Sequence, residues 1–285
     1  MKSLRFMFYA LVGVITIFPI LTFAESITNI NGIVISEEEY NNFLKVHSHE
    51  YIMTMNEEKY DKLKSLDYSN VVTETKYVAT TYNPSLNLTT EQELTKYEYD
   101  NFNNGASSRV ADGGQSYETT AKRIVMAVLG GTTWNYVSLT ATWKYIPTCR
   151  SFDVIGFRGD GFEFRDGSQN GTQIYILDDT YTMIDYSWNG TNIKRFDDGY
   201  GISMNIVNSD IVALQLEAEA DIKQVEDYPS ILSSYQHAVG SVTLAQSQNY
   251  TLGGAGLGSV FVYPYSISQK YDGMSGVKIE YDDTL

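Results

Sequence analysis

The sequence contains little cysteine, little histidine and comparatively little positive charge. A single Cys among 285 residues excludes a disulfide scaffold and also a cysteine-ligated zinc finger. Lys and Arg number 20 against 35 Asp and Glu, so the formal charge is −15, a poor match for the phosphate backbone of a nucleic acid. What the chain does contain, 43% hydrophobic residues and 23 Tyr, is enough for a packed core and excludes wholesale disorder.

The only apolar run that approaches membrane-spanning length lies at the start of the chain. Lys2 and Arg5 precede it, and Thr22 and Ala24 place small side chains where a signal peptidase cleaves. Residues 1–24 therefore predict a secretory signal peptide; an uncleaved anchor is the alternative, since the run is near the lower length limit for a spanning helix. Cleavage removes two positive charges from the formal −15, giving −17, and leaves a secreted, extracellular chain without a membrane span.

Residues 25–70 predict a short helical hairpin. Ser36 and Glu39 form a capping box, and apolar side chains follow them at helical spacing. A second helix is predicted to begin near Thr54 or Asn56, with acidic residues in its first turn. Two such short helices cannot hold a core of their own, so the hairpin is expected to cover another part of the protein.

The rest of the chain is predicted to be mainly β. Within residues 71–118 we expect one strand followed by a linker rich in Asn, Thr and Tyr. From residue 119 to 285, apolar and polar residues alternate in about ten short segments separated by Asp-Gly and Asn-Gly turns. The clearest strand, 134–146, places Val137 and Trp143 on one face. These features predict an antiparallel β-sandwich or jelly-roll-like domain.

Several segments resemble a group of exported proteins from Firmicutes. They are RSFDVIG (150–156), SYQHA (234–238), GLG (256–258), YDGMSGV (271–277) and the helical opening from 35 to 60. The resemblance implies secretion and a single β-rich fold, and it assigns no catalytic residue. A lone Cys in an exported chain likewise fits a Gram-positive bacterium, which does not depend on disulfides for its secreted folds.

Three aromatic side chains predict a ligand-binding strip. Trp134 and Tyr136 share the polar face of the clearest strand, and Trp188 ends another strand before a turn. Aromatic rings stack on the C–H faces of sugars while neighbouring polar groups bond the hydroxyls, so an extracellular glycan or cell-wall polymer is the expected partner. The alternative is that loops or the N-terminal hairpin bury this face.

Two segments are candidate metal sites. Asp160, Glu163 and Asp166 lie in a Gly-rich acidic loop and are candidate Ca²⁺ ligands, although turns require the same residue types. His47 and His49 stand two residues apart, a spacing that does not share one helix face, so helix capping is the alternative there. No other cofactor is expected.

The expected function is that of a secreted, non-enzymatic binding or cell-surface-associated protein. A hydrolase is one alternative: it would use a carboxylate pair, or a triad built on His237, the only His after residue 49. No Gly-x-Ser-x-Gly nucleophile elbow is present. A pore-forming or toxin-like protein is the other alternative, with residues 71–120 as the inserting hairpin, although their alternation of apolar side chains is poor.

Overall fold

The computed structural model describes most of the chain beyond the predicted signal peptide. The described residues are 26–83, 86, 88–102, 118–131, 133–253, 259–273 and 275–281. The predicted signal peptide, residues 103–117 of the predicted linker and the glycine-rich residues 254–258 lie outside them. None of the described helices is long and apolar enough to cross a membrane.

Short elements follow one another closely in residues 26–64. They are β1 (Ser26–Thr28), β2 (Val34–Ser36), α1 (Glu37–Phe43), α2 (His49–Thr54) and α3 (Glu57–Lys64). The capping box of Ser36 and Glu39 starts α1 as predicted. The predicted hairpin lacked α2, which begins because the Ser48 hydroxyl accepts a hydrogen bond from the Tyr51 backbone N–H and so starts a new helical turn. Asn56 caps α3 in the same way.

The remaining elements are mostly strands. The first part holds β3 (Val71–Asn83), β4 (Leu88–Leu94), α4 (Lys96–Asp100), β5 (Glu118–Leu129), β6 (Asn135–Trp143), β7 (Phe152–Asp160), β8 (Phe162–Phe164), β9 (Asn170–Leu177) and β10 (Thr180–Tyr186). The second part holds β11 (Ile193–Phe196), β12 (Gly199–Asn205), β13 (Ala213–Gln224), β14 (Ser230–Gln236), α5 (Leu244–Ser247), β15 (Thr251–Leu252), β16 (Phe261–Val262), α6 (Tyr265–Ser268) and β17 (Ser275–Glu280).

The described strands form two main antiparallel sheets packed face to face, which confirms the predicted β-sandwich. The larger sheet has the order β10-β9-β13-β6-β5-β3-β4, with β8 pairing on β13. The smaller sheet has the order β11-β12-β7-β14-β17. Side chains from both sheets meet in one buried core, to which β6 contributes Val137 and Trp143 on the face that the alternation predicts.

Both outer faces of the sandwich are partly covered. The N-terminal helices pack on the large sheet through an apolar cluster that includes Phe43, Ile52 and Leu63 together with Leu129 of β5. The C-terminal segments cover the small sheet with a second cluster rich in tyrosine. The sequence predicts a strand over 235–246, but β14 spans Ser230–Gln236 instead. After Gln236 the chain turns toward α5, and this C-terminal part covers the small sheet.

The predicted linker contains a strand and a helix that sequence patterning missed. The strand β4 pairs along β3 at the edge of the large sheet, from Leu94 opposite Tyr77 to Leu88 opposite Asn83. An edge strand is held by backbone hydrogen bonds on one side, so its polar composition carried no apolar alternation to detect. The helix α4 follows at once because Thr95 caps it.

Candidate functional site

Tyr136 does not lie on an exposed aromatic strip. It is buried beneath the N-terminal helices, where its hydroxyl donates to Glu219 Oε2 at 2.5 Å and lies 2.9 Å from His47 Nε2. The polar face of β6 is therefore covered, as the alternative interpretation held. Tyr136 is a structural contact between the helical layer and the sheet, while Trp134 at the start of the same strand remains half-buried.

A charged network surrounds Tyr136 under the helices. Glu219 also accepts a hydrogen bond from Tyr51 at 3.2 Å and pairs with Lys62 at 3.5 Å. Burial raises the pKa of Glu219, but the charges of Lys62, Lys59 and His47 outweigh it and hold that pKa well below its usual range. The carboxylate is therefore ionised in the folded protein and ties the helices to the large sheet.

His47, which lies between α1 and α2, and His49, the first residue of α2, do not form a metal site together. His47 Nδ1 lies 2.8 Å from Glu217 Oε2, whereas His49 Nδ1 lies 2.7 Å from the Tyr40 hydroxyl. The two rings thus serve separate contacts. In the described part of the chain, no group of three or more His, Cys, Asp or Glu residues is placed to hold a metal ion.

His237 is held by an acidic partner in the interior. Its Nδ1 lies 3.0 Å from both carboxylate oxygens of Asp153, and the side chain is nearly fully buried. Tyr235 donates a further hydrogen bond to the same carboxylate. Burial lowers the pKa of His237, but the Asp153 charge outweighs it and the net shift is upward. Among the described residues no serine hydroxyl is hydrogen-bonded to His237, so a Ser-His-Asp triad is not assembled here.

A buried lysine stands beside this histidine between the two sheets. Lys122 Nζ lies 2.5 Å from Asp272 Oδ2 and 3.3 Å from Glu91 Oε1, and it sits 5.6 Å from the centroid of the Trp143 ring. The Asp272 carboxylate also accepts the His237 backbone N–H at 2.8 Å. The even residues of β5 point inward, so the alternation alone places this lysine in the core. Sequence reasoning overlooked that signal.

The cluster around Lys122 predicts an unusual dependence of stability on pH. Burial raises the pKa of the Asp272 carboxyl to about 6, although Lys122 opposes the shift, and the pKa of His237 is raised as well. Both groups bind a proton more tightly in the folded state, so the free energy of unfolding should rise as the pH falls from about 8 to about 5. Below about pH 4 it should fall again, since the pKa of Glu39 is lowered to about 2.

Thermal denaturation across this pH range at constant ionic strength tests the expectation. The stabilising effect of His237 is present below its unfolded pKa and is lost as the pH rises through its raised folded pKa. The effect of Asp272 is lost as the pH rises from its unfolded value to about 6. Asp272→Asn cannot titrate and should flatten the lower part of the curve. A free energy of unfolding that increases steadily from about pH 5 to about pH 8 would contradict the assignment.

A surface cleft of about 420 Å³ lies where β8 of the large sheet approaches β11 of the small sheet. Its lining side chains are aromatic, charged or amide; they are Trp134, Glu163, Phe164, Arg165, Asp166, Gln169, Arg195, Phe196 and Asp197. Trp134 was predicted as a sugar platform, and Glu163 and Asp166 as calcium ligands. The fold brings these three side chains to one cleft, whereas Asp160 at the end of β7 is not part of the lining.

Gln169 and Arg195 are members of the cleft that sequence reasoning missed. The Gln169 side chain is 3% exposed, and its Oε1 has no hydrogen-bond partner among the described residues. A buried amide oxygen without a partner costs about 1–3 kcal/mol, but this atom is itself shielded from solvent and is not a contact point for a ligand in the cleft. Neither residue belongs to a motif: Gln169 lies in the loop before β9, and Arg195 lies on β11.

Trp188 lies next to the cleft but is not part of its lining. Its indole is 43% exposed, and the guanidinium carbon of Arg195 stands 5.2 Å from the ring centroid. Its backbone N–H donates to Asn170 Oδ1 at 3.3 Å. The predicted strip of Trp134, Tyr136 and Trp188 is thus divided by the fold into one cleft residue, one buried residue and one neighbour.

The similarity of this chain to known proteins is weak. No protein-family model matches the chain, and no curated sequence matches it. A structure titled "Pore forming protein" is 9% identical with a TM-score of 0.21, covering 41% of this chain and 74% of the other. The membrane-inserted form of the Clostridium perfringens NetB toxin is 7% identical with a TM-score of 0.17, covering 58% and 84%. Likenesses of this size do not identify a shared fold or function.

Proposed function

We propose that the mature chain is an exported, non-enzymatic protein that binds a saccharide in the cleft between β8 and β11. The observation that carries this proposal is the lining itself, in which the rings of Trp134 and Phe196 stand beside the guanidinium of Arg195 and several carboxylates. The expected Ca²⁺ is not part of the proposal.

The chemistry of the lining supports a sugar ligand. Trp134 and Phe196 supply apolar ring surface for the C–H groups of a pyranose. Arg165 and Arg195 supply N–H donors, and the acidic side chains supply acceptors for hydroxyl groups. The cleft volume of about 420 Å³ falls in the range of about 300–1,000 Å³ that is typical of small-ligand sites.

A binding role fits the placement of the titratable groups better than hydrolysis does. His237 and Asp153 form their pair inside the sandwich, and His237 is not among the residues that line the cleft. The described lining residues include no His, Ser or Cys, so they do not supply a serine or cysteine nucleophile with a histidine base. Among them, Glu163, Asp166 and Asp197 are the carboxylates that a glycosidase mechanism would use.

Trp134→Ala is expected to weaken retention on the recognised polysaccharide by at least about tenfold, because burial of an aromatic face on a sugar is lost. Its melting temperature should stay close to that of the wild type, since Trp134 is only half-buried. The measurement is a pull-down of purified 25–285 protein on insoluble polysaccharides and bacterial cell walls. Tyr265→Ala is the matched control, because Tyr265 is 77% exposed and lies on α6, away from the cleft lining.

The same experiment separates the alternatives. Reducing sugars released during incubation would move the function to hydrolysis by the cleft carboxylates. If no polymer retains the wild-type protein, the saccharide proposal fails, and dye release from neutral liposomes then tests the pore-forming alternative. Retention that Trp134→Ala leaves unchanged would place any binding surface elsewhere on the molecule.

A further inference from the structure

Trp188 lies beside the cleft, close to both of its walls. One wall is the loop of residues 165–169, and a Cβ added at Gly167 would meet the Trp188 ring at 3.9 Å. Gly167 has φ +84°, so a residue other than glycine would strain this turn, although the indole itself leaves room for a Cβ. The other wall is β11, whose Arg195 packs on the same indole. Trp188 therefore stands next to both the loop and Arg195.

The guanidinium of Arg195 has a different environment from the other arginine of the cleft. Arg165 pairs with Asp221 at 3.4 Å. Within the described residues the Arg195 guanidinium makes no hydrogen bond or ion pair, and its carbon lies 5.2 Å from the centroid of the Trp188 ring. A cation held over an aromatic face keeps its N–H edges available for a ligand.

The charge of the cleft argues against an anionic ligand. Its lining has two arginines and three carboxylates, Glu163, Asp166 and Asp197. The whole chain is acidic as well, with a formal charge of −15. An anionic polymer approaching this surface meets net repulsion, whereas a neutral polyhydroxylated ligand uses both the guanidinium donors and the carboxylate acceptors.

We infer that the cleft selects an uncharged saccharide, that Arg195 is a main donor to its hydroxyl groups, and that Trp188 is a positioning residue that acts through Arg195. This inference rests on the saccharide-binding function proposed above. It changes the role of Trp188 from the sequence-based prediction: the indole supports the donor and the loop beside it, while Trp134 provides the stacking surface.

Affinity electrophoresis and pull-down on neutral polymers (cellulose, chitin and mixed-linkage β-glucan) and on acidic polygalacturonate test the inference. We expect retention on a neutral polymer and none on polygalacturonate at low ionic strength. Arg195→Gln should weaken binding to the neutral polymer by about tenfold, the value of a hydrogen bond from a charged group. Retention on polygalacturonate in preference to the neutral polymers would overturn the ligand class.

A double-mutant cycle tests the positioning role. Trp188→Ala should weaken binding nearly as much as Arg195→Gln, and the double variant should be no weaker than Arg195→Gln alone. Trp188→Phe should recover most of the affinity, because a smaller ring still supports the cation. Additive losses for the two single variants would show that Trp188 contacts the ligand directly and would overturn this role. Melting curves of all variants confirm that each is folded.

The outcomes distinguish this inference from the proposed function. If the wild type binds no polysaccharide, both fail together. If Trp134→Ala abolishes binding while Trp188→Ala and Arg195→Gln leave it unchanged, the saccharide site stands and the assignment of Arg195 and Trp188 is wrong.

Discussion

Replacing Lys122 by Met is expected to lower the free energy of unfolding by about 3–5 kcal/mol, because it removes one partner of a buried ion pair. The Lys122 side chain is fully buried, and its ammonium lies 2.5 Å from Asp272 and 3.3 Å from Glu91. Without it, the carboxylates of Asp272 and Glu91 lose the ammonium that lies between them. Denaturant unfolding followed by tryptophan fluorescence measures the loss.

The controls separate burial from the general effect of removing a lysine. Lys278→Met removes a partly exposed lysine whose partner Glu280 is mostly exposed, and it should change stability by less than about 1 kcal/mol. Asp272→Asn combined with Lys122→Met leaves one fewer buried charge and should recover part of the loss. A Lys122→Met protein as stable as the wild type would show that the ammonium does not stabilise the cluster. The stability loss caused by Lys122→Met should also be larger at about pH 8 than at about pH 5, because Asp272 takes up a proton at the lower pH.

The second large effect concerns Glu219, which joins the helical layer to the large sheet. Glu219→Gln removes the negative charge that Tyr136, Tyr51 and Lys62 contact. Hydrogen bonds to a charged group contribute about 1.5–3 kcal/mol each, so a loss of about 3 kcal/mol is expected from this single substitution. Because the contact joins two layers, residues 26–64 should become sensitive to limited proteolysis before the sandwich does.

Glu93→Gln is the matched substitution for this test. Glu93 is 70% exposed in its pair with Lys76, and such surface pairs contribute little to stability. Equal stability losses for Glu93→Gln and Glu219→Gln would contradict the role of the buried network. Unchanged proteolysis of the N-terminal segment in Glu219→Gln would show that its apolar contacts alone hold the helices in place.

The fold class could be predicted because it depends on local patterns. Alternation along β6 placed Val137 and Trp143 in the core, and the structure confirms both positions. The capping box at Ser36 predicted the start of α1 correctly, since its hydrogen bonds join residues three apart. The strand β4 was missed because a polar edge strand leaves no apolar period to detect.

The candidate site could be predicted only in part. Trp134 and Glu163 were each singled out by side-chain chemistry, but for two different sites, and only the pairing of β8 with β13 brings them to one cleft. Tyr136 shares the face of Trp134 along the strand, yet the N-terminal helical segment covers it, with His47 89 positions earlier in the chain. Arg195 and Gln169 have no motif that marks them.

The sequence by itself determined the alternation of strand faces, the helix caps and the acidic balance, because each depends on a residue and its near neighbours or on a simple count. Only the tertiary structure decided which polar faces are covered, that Lys122 meets Asp272 across 150 positions, that the Asn170-Gly171 pair lies in β9 rather than in a turn, and that Arg195 lies on the Trp188 ring. These contacts join residues far apart along the chain, and their partners are selected by sheet pairing and by the packing of one sheet on the other.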